Sequence, residues 1–249
     1  PVVFLLLFLS LPSQAENNIR LFANNDSEQI QFAVGEIKNS LNEKGQESVV
    51  RPVSQISQLK DDEHNIVLLN IGDKANLHLL YAPEINDIEK LKSEGFIIHK
   101  SKGNSKTIWI AGKDDAGVMY GGLEVAEIIQ VRGIDAIQNQ LQNPYMKVRG
   151  TKFNIPLDVR TPTYTEPSDA AQNNMAEMWN FEFWKEYIDN LARYRFNTIS
   201  LWNLHPFPSM VKVPEYPEVA LDDVRKSTME WVENYSLNGW GFDAPEIVN

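Results

Sequence analysis

The chain has 249 residues, of which 34 are acidic and 23 are basic, so its formal net charge is −11. This balance argues against nucleic acid as a partner, because proteins that bind polyanions present clustered basic residues. The sequence contains no cysteine, which excludes disulfides and any thiolate metal site. With 43% hydrophobic residues, the chain is long enough to build two hydrophobic cores, and two domains are expected.

The first fifteen residues have the composition of an export signal. Residues 2–11 are almost entirely apolar, and Pro12 ends the run. The run is about as long as a signal-peptide core and shorter than the roughly 20 residues that a membrane-spanning helix needs. Small residues at Ser13 and Ala15 predict cleavage after Ala15, so that 1–15 is a signal peptide. The mature protein would then be secreted or periplasmic, without membrane association. The alternative is a buried strand or helix at this end of the chain.

Residues 16–130 alternate between strand and helix patterns, as is typical of a small α/β domain. In chain order, the patterns predict a strand at 19–23, a helix capped within 24–27, strands at 48–50 and 66–69, a helix or turn region around 76–91, and a hairpin that pairs 95–99 with 107–111. Asp114 and Asp115 then cap a helix that extends to about residue 129. Inside this helix, Gly121 and Gly122 predict a close approach of its backbone to the sheet.

A polar segment at 131–148 predicts a linker to a second domain that begins at residue 149. The patterns there predict a strand at 150–158, a helix at 182–195 and a strand at 197–203. A helix of this length between two strands requires a parallel pair, which is how a (β/α) barrel begins. The apolar face of the helix is expected to comprise Trp184, Tyr187, Ile188, Leu191 and Tyr194.

Four short segments, taken in order, resemble a known pair of domains. The strand EGFIIHK precedes a helix of the type D-x-G-x-x-Y-G at 115–121, and Arg149-Gly150 opens the next strand. The segment RFNTISLWNLHPFPS then supplies a strand that an Asn begins. The arrangement resembles family 20 β-hexosaminidases and several α-glucuronidases. This resemblance implies an α/β protein in which a small α+β domain, of the hexosaminidase-like and zincin-like type, precedes a truncated TIM barrel. It also implies a glycoside hydrolase that acts on polysaccharide or oligosaccharide.

The sequence departs from the family 20 pattern at two points. Where the resemblance implies an Asp, two or three residues and then an Arg, the chain has Asp158-Val159-Arg160, which is one residue shorter. A motif of the type His-x-Gly-Gly-Asp-Glu, which supplies the catalytic pair in that family, is absent. A TIM barrel takes about 250 residues, whereas 100 residues run from Gly150 to the last residue. We therefore expect an incomplete barrel over 149–249 and an inactive isolated chain. No catalytic residue is assigned.

Substrate-binding residues are expected at the C-terminal ends of the strands, where the active sites of such barrels form. The first strand end offers Asp158 and Arg160, and the second offers Trp202, Asn203 and His205. Arg160 can bind vicinal hydroxyls or a uronate carboxylate through two parallel donors, or it can form a salt bridge to Asp158. Trp202 can stack under a pyranose ring or point into the barrel core. Asn203 and His205 can reach the sugar hydroxyls, although a single His is more often structural.

The loop at 161–180 is long for a connection between strand and helix and is rich in Asn, Gln and Tyr. It predicts a lid over the substrate or, more simply, a surface insertion. The sequence shows no metal-ligand spacing, so we expect neither a metal nor another cofactor, and carbohydrate is the expected partner. Two other functions fit the same patterns. One is a non-catalytic carbohydrate-binding protein with a degenerate barrel, and the other is a front domain that docks another protein.

Overall fold

A computed structural model describes residues 19–24, 26–73, 85, 87–102, 106–154, 180–202 and 214–219. The chain divides into two compact units, which we call the front unit, Pro1–Tyr145, and the second unit, Met146–Asn249. The predicted signal peptide at 1–15 lies outside the described residues, and so does most of the predicted helix or turn region at 76–91.

The front unit is built on a mixed sheet of six strands in the order β2-β1-β3-β5-β4-β6. The strands are β1 Ile19–Ala23, β2 Ser48–Pro52, β3 Asn65–Asn70, β4 Phe96–Lys100, β5 Thr107–Gly112 and β6 Gln140–Gln142. β1 pairs in parallel with β2 and β3, and β3 pairs in parallel with β5. β4 is antiparallel to both of its neighbours, which confirms the predicted hairpin with β5. The apolar run at 66–69 forms a central strand because both of its faces are covered.

Two helices pack against each other beside this sheet: α1, Glu28–Glu43, and α2, Asp115–Arg132. The side chain of Ser27 caps α1 by accepting a hydrogen bond from the Ile30 amide, and Asp114 caps α2 by accepting one from the Gly117 amide. These caps satisfy amides that have no partner inside the helix. Across the described residues, no helix combines the length and the apolarity that a membrane span requires.

The opposite face of the sheet carries the second half of the core. Alternate residues of the strands point to this face and pack into one buried cluster, which includes Phe22, Val67, Leu69, Ile97, Trp109 and Ala111. Val53, in a 3₁₀ helix at Val53–Gln58, and Ile85 complete the cluster. The sheet therefore buries apolar side chains on both faces, one under the helices and one under these short segments.

The two glycines inside α2 approach different partners. A Cβ on Gly121 would lie 2.6 Å from Cγ2 of Ile110, so this glycine does bring the helix onto the sheet, as predicted. A Cβ on Gly122 would lie 2.7 Å from the Cβ of Ala33, which belongs to α1. The prediction that Gly122 approaches the sheet was therefore wrong, since its closest contact is with α1. Adjacent positions on a helix point about 100° apart, so the two glycines face different neighbours.

Much of the segment predicted as a linker, 131–148, belongs to the front unit. α2 extends to Arg132, and a 3₁₀ turn at Ile134–Ala136 follows it. Ile134 and Ile137 are buried, and β6 then pairs with β4 as the last strand of the sheet. The polar composition of this segment led to the wrong prediction of a linker, because a strand at the edge of a sheet needs few apolar residues. The boundary between the units falls after Tyr145.

The second unit contains a strand, a helix and a parallel strand, as predicted. β7 is Gly150–Asn154, α3 is Phe181–Arg193 and β8 is Thr198–Trp202. β7 and β8 pair in parallel, in the register that sets Gly150 opposite Thr198. A short 3₁₀ helix at Pro217–Val219 is also described.

α3 packs on β7 through a cluster of aromatic rings. The ring of Phe153 lies 5.2 Å from Trp184 and 5.1 Å from Tyr187, measured between centroids. Two members of the predicted apolar face are instead exposed, Ile188 at 51% and Tyr194 at 77%. Phe183 lies in the cluster, 6.1 Å from Phe153, so the face of the helix that packs on β7 differs from the predicted one: it includes Phe183, Trp184 and Tyr187.

We expect His64 to make the stability of the front unit depend on pH. Burial lowers the pKa of its imidazole below 6.5, and nearby Lys106 and Lys100 act in the same direction, whereas Asp135 raises it. A lowered pKa means that the unfolded chain binds the proton more readily, so stability is lost as the pH falls through about 6.5. We expect the melting temperature of the His64→Gln variant to fall less than that of the wild type between about pH 7.5 and about pH 5.5. Equal falls in the two proteins would contradict this role.

Candidate functional site

The candidate site lies at the C-terminal ends of β7 and β8. Asn154 ends β7 and Trp202 ends β8, and the two residues are paired in the parallel register. Both strands therefore end at the same edge of the sheet, and the chain leaves that edge at two adjacent points. This is the edge at which ligands bind in parallel α/β folds.

The predicted substrate-binding residues follow these two ends closely in the sequence. Asp158 and Arg160 come four and six residues after Asn154, and Asn203 and His205 come one and three residues after Trp202. These four residues lie outside the described part of the chain, and for Trp202 only the backbone is described. The structure thus brings the two backbone ends together, while the side-chain roles of all five residues remain predictions.

The opposite ends of the same strands are held by Arg149 and Asn197. Nε of Arg149 donates to the Arg195 carbonyl at 2.7 Å, and its Nη1 donates to the Met146 carbonyl at 2.7 Å. The Arg149 amide donates to Oδ1 of Asn197 at 2.9 Å, and the Asn197 amide donates to the Arg149 carbonyl at 2.8 Å. Two features that carried the family resemblance, the Arg-Gly pair and the Asn that begins the next strand, are therefore structural here.

Gly150 and Arg195 complete this structural end. A Cβ on Gly150 would overlap the carbonyl oxygen of Thr198, so no larger residue fits between the strands. Arg195 has a left-handed backbone, with φ of 64°, two residues after the last residue of α3. The Phe196 amide donates to the Leu191 carbonyl at 2.9 Å across this residue, which is the hydrogen bond of a Schellman motif. The turn aims the chain directly into β8.

The D-x-G-x-x-Y-G motif of the front unit also has a structural role. A Cβ on Gly117 would overlap the carbonyl oxygen of Gly95, so the start of α2 lies against the chain that enters β4. The Asp114 carboxylate fixes this contact by accepting hydrogen bonds from the Glu94 amide, at 3.0 Å, and from the Ser93 hydroxyl, at 2.8 Å. These groups all take part in contacts that hold the start of α2 against the hairpin. The motif therefore marks the packing of a helix on a hairpin.

A groove in the front unit was not predicted from the sequence. It is an open groove of about 360 Å³ beside β4 and β6. Asp87, Ile97, His99, Lys102, Asn139 and Leu141 are among its lining residues. The prediction of a linker at 131–148 hid this feature, because Asn139 and Leu141 border a cavity only when β6 joins the sheet. Among the described residues, no three His, Asp or Glu side chains come together in a way that could hold a metal ion.

Comparison with known proteins finds that the front unit is similar in sequence to a domain of glycoside hydrolases, and that most of the chain is similar in fold to one such enzyme. Residues 11–124 match the family model described as "Glycosyl hydrolase family 67 N-terminus". No curated protein matches the chain. Among solved structures, a GH138 enzyme described as targeting pectin rhamnogalacturonan II is similar, with a TM-score of 0.54 and 24% identity. CpGH84D gives a TM-score of 0.40 and 14% identity over 55% of this chain.

The GH138 enzyme shares its fold with most of this chain. The similarity covers 80% of this chain but only 26% of the GH138 enzyme. The similarity to CpGH84D covers 22% of that protein. The chain therefore spans about a quarter of the length of these structures. The front unit is a glycosidase-like α/β domain, which confirms the predicted resemblance to a glycoside hydrolase. The matched model is that of family 67, and nothing in the matches singles out family 20.

Proposed function

We propose that the chain is the N-terminal part of a secreted glycoside hydrolase that acts on a polysaccharide or its oligomers, with hexosaminidase-like or α-glucuronidase-like activity. The observation that carries the proposal is the family 67 match over 11–124, followed in the same chain by a parallel strand-helix-strand unit. A small α/β domain followed by the opening of a (β/α) barrel is the order that the sequence resemblance implies. Carbohydrate is the proposed substrate.

In this proposal, the shared edge of β7 and β8 forms part of the sugar-binding cleft. Arg160 supplies two parallel donors to hydroxyls or to a carboxylate. Trp202 supplies a flat apolar surface, and Asn203 and His205 bind hydroxyl groups. Glycoside hydrolysis commonly needs two carboxyl groups about 5 to 10 Å apart. We place that pair on later strands of a complete barrel, beyond these residues, so the chain alone binds sugar weakly and does not hydrolyse it.

Activity screening of the complete enzyme tests this proposal. We expect hydrolysis of at least one aryl hexosaminide or aryl glucuronide, and no hydrolysis by the isolated 249-residue chain. The isolated chain serves as the matched control because it carries the same front unit. If the complete protein bound glycans but hydrolysed none of the substrates, the non-catalytic carbohydrate-binding protein would be the better description.

Export through residues 1–15 is proposed together with this activity. When the complete gene is expressed with its own leader, the N-terminal sequence of the exported protein should begin at Glu16. Placing a charge in the apolar run, as in Leu6→Arg, should retain the protein inside the cell, because the run could no longer enter the export channel as an apolar segment. Ser13→Ala keeps the small residue and should leave export intact. Export of Leu6→Arg at the wild-type level would refute the leader.

A further inference from the structure

The groove of the front unit lies on the face of the sheet opposite the two helices. Ile97 belongs to the core cluster on that face, and Leu141 is directly opposite Ile97 in the antiparallel pairing of β4 with β6. Directly opposed residues of such a pair point to the same side. Leu141 is 37% exposed, so it presents an apolar surface at the floor of the groove. The volume of about 360 Å³ is within the range of small-ligand sites.

Polar groups surround this apolar floor. Oδ1 of Asn139 accepts a hydrogen bond from the Lys100 amide at 2.7 Å. This bond orients the side chain, so its NH₂ group points away from the Lys100 amide. His99 and Lys102 line the same groove. An apolar floor with polar groups at its rim is complementary to a sugar ring, which has C–H groups on its faces and hydroxyl groups at its edge.

The lining residues include one acidic and one basic side chain, Asp87 and Lys102. The carboxylate of Asp87 is engaged by Nζ of Lys90 at 2.6 Å. Lys102 has no ion-pair partner among the residues that the structure describes. Among the described residues, the rim therefore presents an ammonium group that no direct ion pair engages, although the chain as a whole has a net charge of −11. Such a group favours an anionic ligand, and its attraction is strongest at low ionic strength.

We propose that this groove binds a uronic-acid unit of a glycan, with the sugar carboxylate at Lys102 and the ring over Leu141. The choice of a glycan as the ligand rests on the proposed function. The groove belongs to the front unit, and the edge of β7 and β8, where the bond to be cleaved would lie, belongs to the second unit. In this proposal the groove adds affinity for the substrate chain beyond what the reacting sugar contributes.

Titration calorimetry of the 249-residue chain tests the site directly. The probes are glucuronic acid, galacturonic acid and tetragalacturonate, with neutral xylotetraose for comparison. We expect at least one acidic probe to bind, and to bind at least tenfold more tightly than xylotetraose. Lys102→Glu should weaken this binding at least tenfold, and Leu141→Ala should weaken it severalfold. Lys44→Glu makes the same charge change at the end of α1, outside the groove, and should leave the affinity unchanged.

Several results would overturn the proposal. These are no binding of any acidic probe, equal binding of xylotetraose, an unchanged affinity in Lys102→Glu, or an equal loss in Lys44→Glu. Because Lys102 is exposed, its substitution should leave the circular dichroism spectrum unchanged, so a loss of affinity can be assigned to the site.

A second measurement separates this site from the proposed hydrolase activity. In the complete enzyme, Lys102→Glu should raise KM for a uronate-containing polysaccharide and leave kcat/KM for a short aryl glycoside unchanged. Equal losses on both substrates would overturn a separate binding role. If the complete enzyme hydrolysed nothing while the chain still bound uronates through Lys102, the proposed activity would fail and the groove would stand.

Discussion

Replacing Gly112 by alanine is expected to lower the free energy of unfolding of the front unit by about 3 kcal/mol or more. Gly112 ends β5, and a Cβ at this position would overlap the Val118 amide and lie 2.6 Å from the carbonyl carbon of Gly117. Both atoms belong to the backbone of α2. The clash can be relieved only by moving the helix away from the sheet, because no flexible side chain is involved.

Urea unfolding of the 249-residue chain, monitored by circular dichroism, measures this effect. Gly35→Ala is the matched control, since Gly35 lies within α1 and a Cβ there would meet nothing within 4 Å. Alanine is the better helix former, so this control should raise the free energy of unfolding by about 0.5 to 1 kcal/mol. If both variants shifted stability in the same direction, the close approach at Gly112 would be refuted.

Replacing Arg160 by alanine in the complete enzyme is expected to lower kcat/KM at least about 100-fold, with a nearly unchanged melting temperature. Arg160 follows the end of β7 by six residues, at the edge where substrate is proposed to bind. Its two parallel donors would be lost. Arg160→Lys should recover little of the loss, because an ammonium group cannot reproduce the paired geometry.

Arg149→Ala is the matched comparison for this experiment. Arg149 lies at the opposite end of β7, and its side chain donates to the carbonyls of Arg195 and Met146. Its loss should cost about 2 kcal/mol of stability while kcat/KM per folded molecule is kept. A fall in stability for Arg160→Ala as large as that for Arg149→Ala would return Arg160 to a structural role, such as a salt bridge to Asp158.

Elements whose position is dictated by burial could be predicted from the sequence. The run at 66–69 is apolar throughout, and it forms the central strand β3 because a strand covered on both faces leaves no position for a polar residue. The start of α2 could also be predicted from the sequence, and Asp114 caps it as expected. These signals are local, and the tertiary structure agrees with them.

Elements that depend on distant neighbours could not be predicted in the same way. β6 has the sequence Gln-Leu-Gln and forms only because β4 offers a free edge beside it. The face of α3 that packs on the sheet is the one that contacts Phe153, which lies on β7 about 30 residues earlier. Periodicity alone favoured Ile188 over Phe183 for this face. For the candidate site, β8 ends at Trp202, one residue before the predicted end, and β7 ends at Asn154, short of the predicted 158. The positions of side chains beyond a strand end depend on contacts that no local pattern records.

The hydrogen bonds of Arg149 and Asn197 fix the pairing of β7 with β8 at the end where both strands begin. The register is thereby anchored at the end opposite to Asn154 and Trp202. Insertions, deletions and substitutions after those residues can accumulate among related proteins without shifting the strands. A scaffold of this kind can exchange one substrate for another through its loops during evolution while its folding is left untouched.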